Sequence, residues 1–349
     1  MRAATFFDGS GWRDGVIAVV DGRVRLSDEA PAAELPRLDG VIVGGFTDHH
    51  VHLQLVDHTL LESSLLGRVV DLGGNPGVLR ELAAHNSGTS ASEEPETASA
   101  AHSGPVLPEL RPRIPAHRVD IRFAGAFLAA PGGYPSDRSW APAGSVREIP
   151  DAKAAADTVA EIAEAGASCL KVTSNSTAGP VFADDLFRAL VALAAARDLP
   201  VVVHAEGPGE AQRAARLGAA RLAHAPFTER LDDDEIAAQA ASLAWISTLS
   251  IHDGTDRATA IDNVRRFHAE GGTVLYGTDM GNGPTPVDVN QSEIAALRAA
   301  GLDDDALLRA LAPVDPLAPS SPLLLLPGRS PATADLRSAR PLIPADLKV

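Results

Sequence analysis

His50 and His52 stand one residue apart in the stretch Gly45-Phe46-Thr47-Asp48-His49-His50-Val51-His52. The apolar run Val41-Ile42-Val43 leads into it and reads as a buried strand over 41–48. Alternate residues of a strand face the same side, so the two imidazoles project together, about 6–7 Å apart by the strand rise. Paired imidazoles suit zinc, iron, nickel or copper. They also suit a solvated strand end, so the pair by itself decides nothing. His49 is out of phase with its neighbours and is expected to point away from any metal.

Other candidate ligands follow in order. Lys171 sits inside Cys169-Leu170-Lys171-Val172-Thr173, where a lysine is costly unless neutral, paired or modified. His204 ends Val201-Val202-Val203-His204, His224 ends Arg221-Leu222-Ala223-His224, and Asp279 ends Val274-Leu275-Tyr276-Gly277-Thr278-Asp279. Any one of these histidines fits a capped strand end. The ordered set, one member per strand end, points to a metal site.

The elements that must position this set are short apolar runs alternating with Ala-rich helical patterns. Strands are expected at 41–48, 68–73, 119–127, 168–173, 200–205, 220–224, 244–250 and 273–279. Helices are expected at 76–85, 151–166, 184–198, 207–218, 232–242, 256–270 and 288–301. Asp151, Asp184 and Asp232 stand at N-cap positions, and Gly166, Gly218 and Gly301 near helix ends. Eight such units predict a closed (β/α)8 TIM barrel over 41–312. An open doubly wound sheet would want a Gly-rich phosphate turn after its first strand, and the sequence has none there. Asp21-Gly22 between Val16–Val20 and Arg23–Leu26 signals a hairpin. Residues 1–40 and the Leu- and Pro-rich segment 313–349 are expected to build one small β-sandwich-like domain.

Two stretches interrupt the rhythm. Residues 86–118 are small, polar and acidic, and are expected to be a disordered insertion. The loop after the third strand, Pro131 through Arg147, carries Tyr134, Arg138 and Trp140, side chains able to contact a small molecule at the barrel mouth. His252 and Asn282, in the loops after strands seven and eight, are further candidates for substrate contact.

A net charge of −16 argues against a nucleic-acid partner, which needs clustered Lys and Arg. Cys169 is the one cysteine, so no internal disulfide framework exists, and a reducing cytoplasm is the expected setting. No apolar run reaches the ~20 residues of a membrane-spanning helix. The expected partner is a small-molecule substrate, with a homo-oligomer allowed.

The stretches at 45–52, 203–206 (Val-His-Ala-Glu), 223–226 (Ala-His-Ala-Pro) and 276–279 (Tyr-Gly-Thr-Asp), together with Lys171, resemble the amidohydrolase superfamily in its imidazolonepropionase-like and prolidase-like branch. The resemblance spans about residues 15–312. The chain departs in having Gly44 where Pro is usual, in the insertion, and in a short C-terminal segment. The resemblance implies two divalent metal ions, zinc by default, with Mn, Fe, Co or Ni as substitutes. It implies His50, His52 and Asp279 on the more buried ion, His204 and His224 on the other, and Lys171 as a carbamate bridging both. It further implies a C–N hydrolase, acting on an amide or cyclic amide by attack of a bridging hydroxide, with Asp279 as proton shuttle. Asp48 is expected to orient a ligand or the strand end. Arg138 would bind a substrate carboxylate. Three alternatives stand beside this reading: a lactonase or esterase on the same site, a mononuclear deaminase of a heterocycle, which Lys171 argues against, and a non-enzymatic scaffold, against which the complete ligand set argues.

Overall fold

Strand β1 (Arg2–Phe7) pairs antiparallel with β2 (Trp12–Val20), which turns into β3 (Arg23–Ser27). The turn residues Asp21 and Gly22 both have positive φ, 49° and 75°, the hand that matches strand twist. The expected hairpin is therefore present. Strand β4 (Arg37–Gly44) lies parallel to β1. The computed structural model describes residues 1–87, 118–318, 322–328 and 336–348. The insertion expected at 86–118 falls almost wholly outside the described residues.

The strand expected at 41–48 is two strands. Val41–Val43 belong to β4 in the small sheet, and the barrel opens with β5 (Phe46–Val51). The chain crosses between sheets at Gly45, where a Cβ would lie 2.7 Å from the Gly67 Cα. An apolar run with no break in composition hides such a crossing.

The barrel continues through β6 (Leu66–Asp71), β7 (Asp120–Phe123), β8 (Phe127–Ala129), β9 (Val146–Glu148), β10 (Leu170–Asn175), β11 (Val201–Glu206), β12 (Arg221–Leu222), β13 (Ala244–Ile246) and β14 (Thr273–Leu275). The third barrel strand is broken: β7 pairs with β6, while β8 pairs with β10 and with the loop strand β9. From β10 to β14 each strand is parallel to the next. A parallel bridge between Val51 and Met280, and the bond from the His49 amide to Tyr276 O, close the ring of eight.

Helices α1 (Pro76–Ser87), α2 (Ala152–Glu164), α3 (Asp184–Ala195), α4 (Glu210–Arg216), α5 (Asp233–Ala240), α6 (Gly254–Ala269), α7 (Gln291–Ala299) and α8 (Asp304–Leu311) accompany the strands. The Asp151 and Asp232 carboxylates accept from the amides of Ala154 and Glu235, as N-caps should. Asp184 does not cap; it is the first residue of α3, and Ala183 occupies the N-cap without a side-chain bond. Helix α8, capped by Asp303 and burying Leu307, Leu308 and Leu311, has no counterpart among the sequence expectations. Strand β15 (Leu323–Leu326) returns antiparallel to β4 and pairs with β16 (Arg340–Pro341), so both ends of the chain build one six-stranded sheet.

Inside the barrel, Val70, Leu72, Ala124, Cys169, Val202, Ala223 and Ile246 form a packed apolar layer. Side chains two positions further along these strands stand above that floor.

Candidate metal centre

Several barrel strands stop sooner than expected, and the reason bears on the site. β12 ends at Leu222, β13 at Ile246 and β14 at Leu275. Beyond those points the backbone leaves extended geometry. Thr248 (φ 44°) and Asp279 (φ 53°) are left-handed, a conformation costly for side-chain-bearing residues and frequent at functional sites. A regular strand would not present these side chains in this way.

Six expected site residues meet at the mouth. His50 Nε2 and His52 Nε2 lie 3.1 and 3.2 Å from Asp279 Oδ1. His224 Nε2 lies 3.0 Å from His204 Nδ1, and the His50 and His224 rings are 4.7 Å apart. Ligand atoms of His50, His224 and Asp279 fall within 4.8 Å of one another. Lys171 lines the same cleft, is 1% exposed, and has no hydrogen-bond partner among the described residues. Burial pushes its amine down to about 8.

Each imidazole uses one nitrogen to hold itself in place. His50 Nδ1 is 2.8 Å from Ala223 O, and His52 Nδ1 is 3.1 Å from Gly73 O. His204 Nε2 is 2.9 Å from Glu206 Oε2, and His224 Nδ1 is 2.9 Å from Thr248 Oγ1. A carbonyl or carboxylate oxygen only accepts, so His50, His52 and His204 must donate from those nitrogens. In the neutral rings, the remaining nitrogens of His50 and His204 are lone pairs, aimed at the Asp279 carboxylate and at His224; His52 differs, because although burial opposes its charge, the facing Asp279 raises its pKa. His50 Nε2 and Asp279 Oδ1, two acceptors 3.1 Å apart, repel unless a proton or a cation lies between them. A proton on His50 is disfavoured, because burial, with Lys171 nearby, holds its pKa well below the usual value. His50 Nε2 has no hydrogen-bond partner. The donor set therefore fits a divalent ion, with imidazole nitrogens and a carboxylate oxygen of the kind zinc accepts.

Supporting groups fix the strand ends. Asp48 Oδ1 accepts from the amides of His50 and Thr278, and Oδ2 lies 2.6 Å from Thr278 Oγ1. It ties the first barrel strand to the segment carrying Asp279, the orienting part expected of it. Burial raises its carboxyl to about 7. Asp71 accepts from the amides of Leu53 and Gly73, fixing the turn whose carbonyl holds His52. Glycine is required at 277, where a Cβ would run into Ile246 and come within 3.2 Å of the His50 Cβ. Although burial opposes its charge, Asp279 stays well below the usual carboxylate range because His50, His52 and His224 face it.

Among the expected substrate contacts, Tyr134, His252 and Asn282 line the cleft. Arg138 is not among the lining residues; it pairs with Asp137 and its guanidinium lies 5.7 Å from the Tyr134 ring centre. Its neighbours in the loop, not its own side chain, face the metal position. Asn282 donates to Asp279 Oδ2 at 2.9 Å. His49 is not part of the cluster. Its ring nitrogens are buried without partners, and burial, then Arg221 and Arg68, push its pKa down to about 3. Glu206, Thr248 and Asp71 escaped the sequence reading. Period two from His204 marks Glu206 as inward-facing; nothing local marks the other two.

The sequence model of the amidohydrolase family matches residues 41–310. Curated proteins yield no match. Solved structures of the same fold include a Xaa-Pro dipeptidase with bound methionine (17% identity, 93% of each chain covered, TM-score 0.64). They also include ochratoxinase from A. niger (14% identity, 96% of this chain and 94% of that one, TM-score 0.64). Phenylurea hydrolase B is a third (15% identity, 96% and 94%, TM-score 0.62). At these identities the structures speak for the fold, a TIM barrel with a separate β domain, while the family model covers most of the chain and all of the clustered residues. The chain belongs to the amidohydrolase family.

Proposed function

We propose that this hydrolase cleaves the C–N bond of an amide or cyclic amide with two divalent ions, zinc first among them. The observation that carries the reading is the set of imidazole lone pairs and one carboxylate oxygen packed against one another beside an unpaired buried lysine. His50, His52 and Asp279 would hold the deeper ion, and His204 and His224 the outer one. Lys171 would serve both as a carbamate. Its pKa, pushed down by burial to about 8, leaves a far larger share of reactive neutral amine near neutral pH than an ordinary lysine has. Carbon dioxide adds to that amine, the N–C bond forms, one amine proton leaves, and an anion results.

When bound, the ions would supply hydroxide near neutral pH and polarise the scissile carbonyl. Asp279, with one oxygen held by Asn282, takes the proton of the attacking water and returns it to the leaving nitrogen. Tyr134 and His252 line the space where substrate binds, and Asn282 reaches it from the far side of Asp279. Burial raises the Tyr134 phenol to about 12, so it stays a neutral hydrogen-bond donor. The expected site of action is the cytoplasm, as the lone buried Cys169 suggests.

The test is metal analysis of purified protein, followed by a hydrolysis screen of N-acyl amino acids, dipeptides, hydantoins, lactones and esters. About two ions per chain with turnover of amides is the expected result. One ion with turnover only of aminated heterocycles supports the deaminase instead. Turnover confined to lactones or esters moves the reading to that class.

A further inference from the structure

The cleft spends a large share of this chain's few aromatic residues. Of three tryptophans, two tyrosines and nine phenylalanines, the lining takes Trp140, Tyr134, Phe127 and Phe227. They stand in two groups, one against His204 and one against His224. On one side the Tyr134 ring stacks on His204, 5.1 Å between centres and 28° between planes. Trp140 lies 6.2 Å from Tyr134 and 6.0 Å from Phe127, whose ring is 5.5 Å from His52. On the other side Phe227 lies 6.2 Å from His224 and stacks on His252 at 4.1 Å. His204 and His224 are 4.9 Å apart, so the sequence of rings runs wall, imidazole, imidazole, wall.

These walls are held in place. Thr173, above Lys171 on β10, has its hydroxyl 2.6 Å from Tyr134 O and 3.1 Å from Leu128 O. The loop from Gly133 to Ser145 is further closed by successive backbone bonds, including Ser136 to Gly133 and Ala141 to Arg138. Trp140 is nonetheless 40% exposed, with its ring against Phe127 and Tyr134. A large apolar ring that is anchored, yet left open to the cleft, has unspent contact area. Aromatic faces prefer another flat ring at such spacings over a saturated group of equal size.

We infer that the substrate is an amide bearing a flat aromatic ring on one side of the scissile bond, received between the Trp140–Tyr134–Phe127 wall and the Phe227–His252 wall. The inference rests on the hydrolase reading for the scissile amide alone; the ring site belongs to the walls. Both walls line the one cleft that also holds the imidazole cluster, so a ring received there has its attached carbonyl within the same space as those imidazoles.

The experiment titrates benzamide and cyclohexanecarboxamide, similar in size and different in flatness, into metal-loaded and metal-free protein. Tryptophan fluorescence and calorimetry report binding. Benzamide is expected to bind about three- to tenfold more tightly in both forms, the range of one or two stacking contacts. Trp140→Ala and Phe227→Leu should each erase most of that preference, lowering benzamide affinity more than cyclohexanecarboxamide affinity, and Trp140→Ala should also remove the fluorescence response. Equal affinity for the two amides, no measurable benzamide binding, or a preference that survives both substitutions overturns the inference. The metal-free arm keeps it separate from the hydrolase reading, which stands or falls on metal content and turnover.

Discussion

Glu206 holds His204 by the nitrogen that faces away from the cluster: its Oε2 lies 2.9 Å from His204 Nε2 and accepts a second bond, at 2.7 Å, from Asn175. Asn175 is itself fixed, since its Oδ1 accepts from the amides of Thr177 and Ala178. The carboxylate thereby sets the His204 tautomer and leaves Nδ1 as a lone pair toward His224. Carboxylates in this relation to a ligand histidine commonly change metal affinity ten- to a hundredfold when removed.

Glu206→Gln is therefore expected to weaken occupancy of the outer metal position by about 10–100-fold. A glutamine amide can donate to Nε2 and push the ring proton onto Nδ1, so Gln should be no milder than Ala. Metal titration followed by calorimetry reads the loss. Full affinity in the Gln variant would mean that Glu206 does not set the tautomer.

Lys171→Ala should lower metal content and abolish amide turnover, with the circular dichroism of the folded chain retained. In the unaltered protein, growth or incubation with 13C-bicarbonate should give a carbamate carbonyl signal that the Ala variant lacks. An unaltered metal count and rate in Lys171→Ala would remove the lysine from the mechanism.

Thr173→Val removes the hydroxyl that anchors the Tyr134 carbonyl and keeps the side chain's shape. Loss of one such bond is worth about 1 kcal/mol, roughly fivefold. The change should raise KM by about that factor while kcat changes little, because Tyr134 shapes the cleft wall and does not touch the proton path. A fall confined to kcat would contradict this account of the loop.

His49 gives a pH dependence whose sign follows from its burial. Its folded pKa is pushed down by burial to about 3 from the ordinary histidine value of 6.5. Between those values the unfolded chain binds more protons at this position than the folded one does. Stability should therefore rise with pH through this window and be lost on acidification, with a slope from this residue of at most about 1.4 kcal/mol per pH unit. His49→Leu should flatten the acid limb of denaturant midpoints measured from pH 6.5 downward. An unchanged limb would place the acid sensitivity elsewhere.

The candidate ligands were legible in the sequence because His50 and His52 share a strand face by period two and Lys171, His204, His224 and Asp279 follow in chain order, each in or just after a short apolar run. The returning C-terminal strand and the Asp21-Gly22 hairpin were legible from composition and turn residues. Helix α8 was missed although its pattern is strongly amphipathic. The break at Gly45 was missed because Val41–Val43 is equally apolar in either sheet, and only pairing partners distinguish the two.

What the sequence determined by itself was therefore the chemical inventory and the alternation that builds a barrel, since both depend on local side-chain type and spacing. The tertiary structure decided which nitrogen of each imidazole is committed and which is free. Those choices come from Ala223 O, Gly73 O, Glu206 and Thr248, groups brought close by folding, three of them from other strands or turns. It also decided that Tyr134 and Trp140 line the cleft while Arg138 pairs with Asp137, because the loop's backbone bonds and the Thr173 hydroxyl, not its composition, set its path.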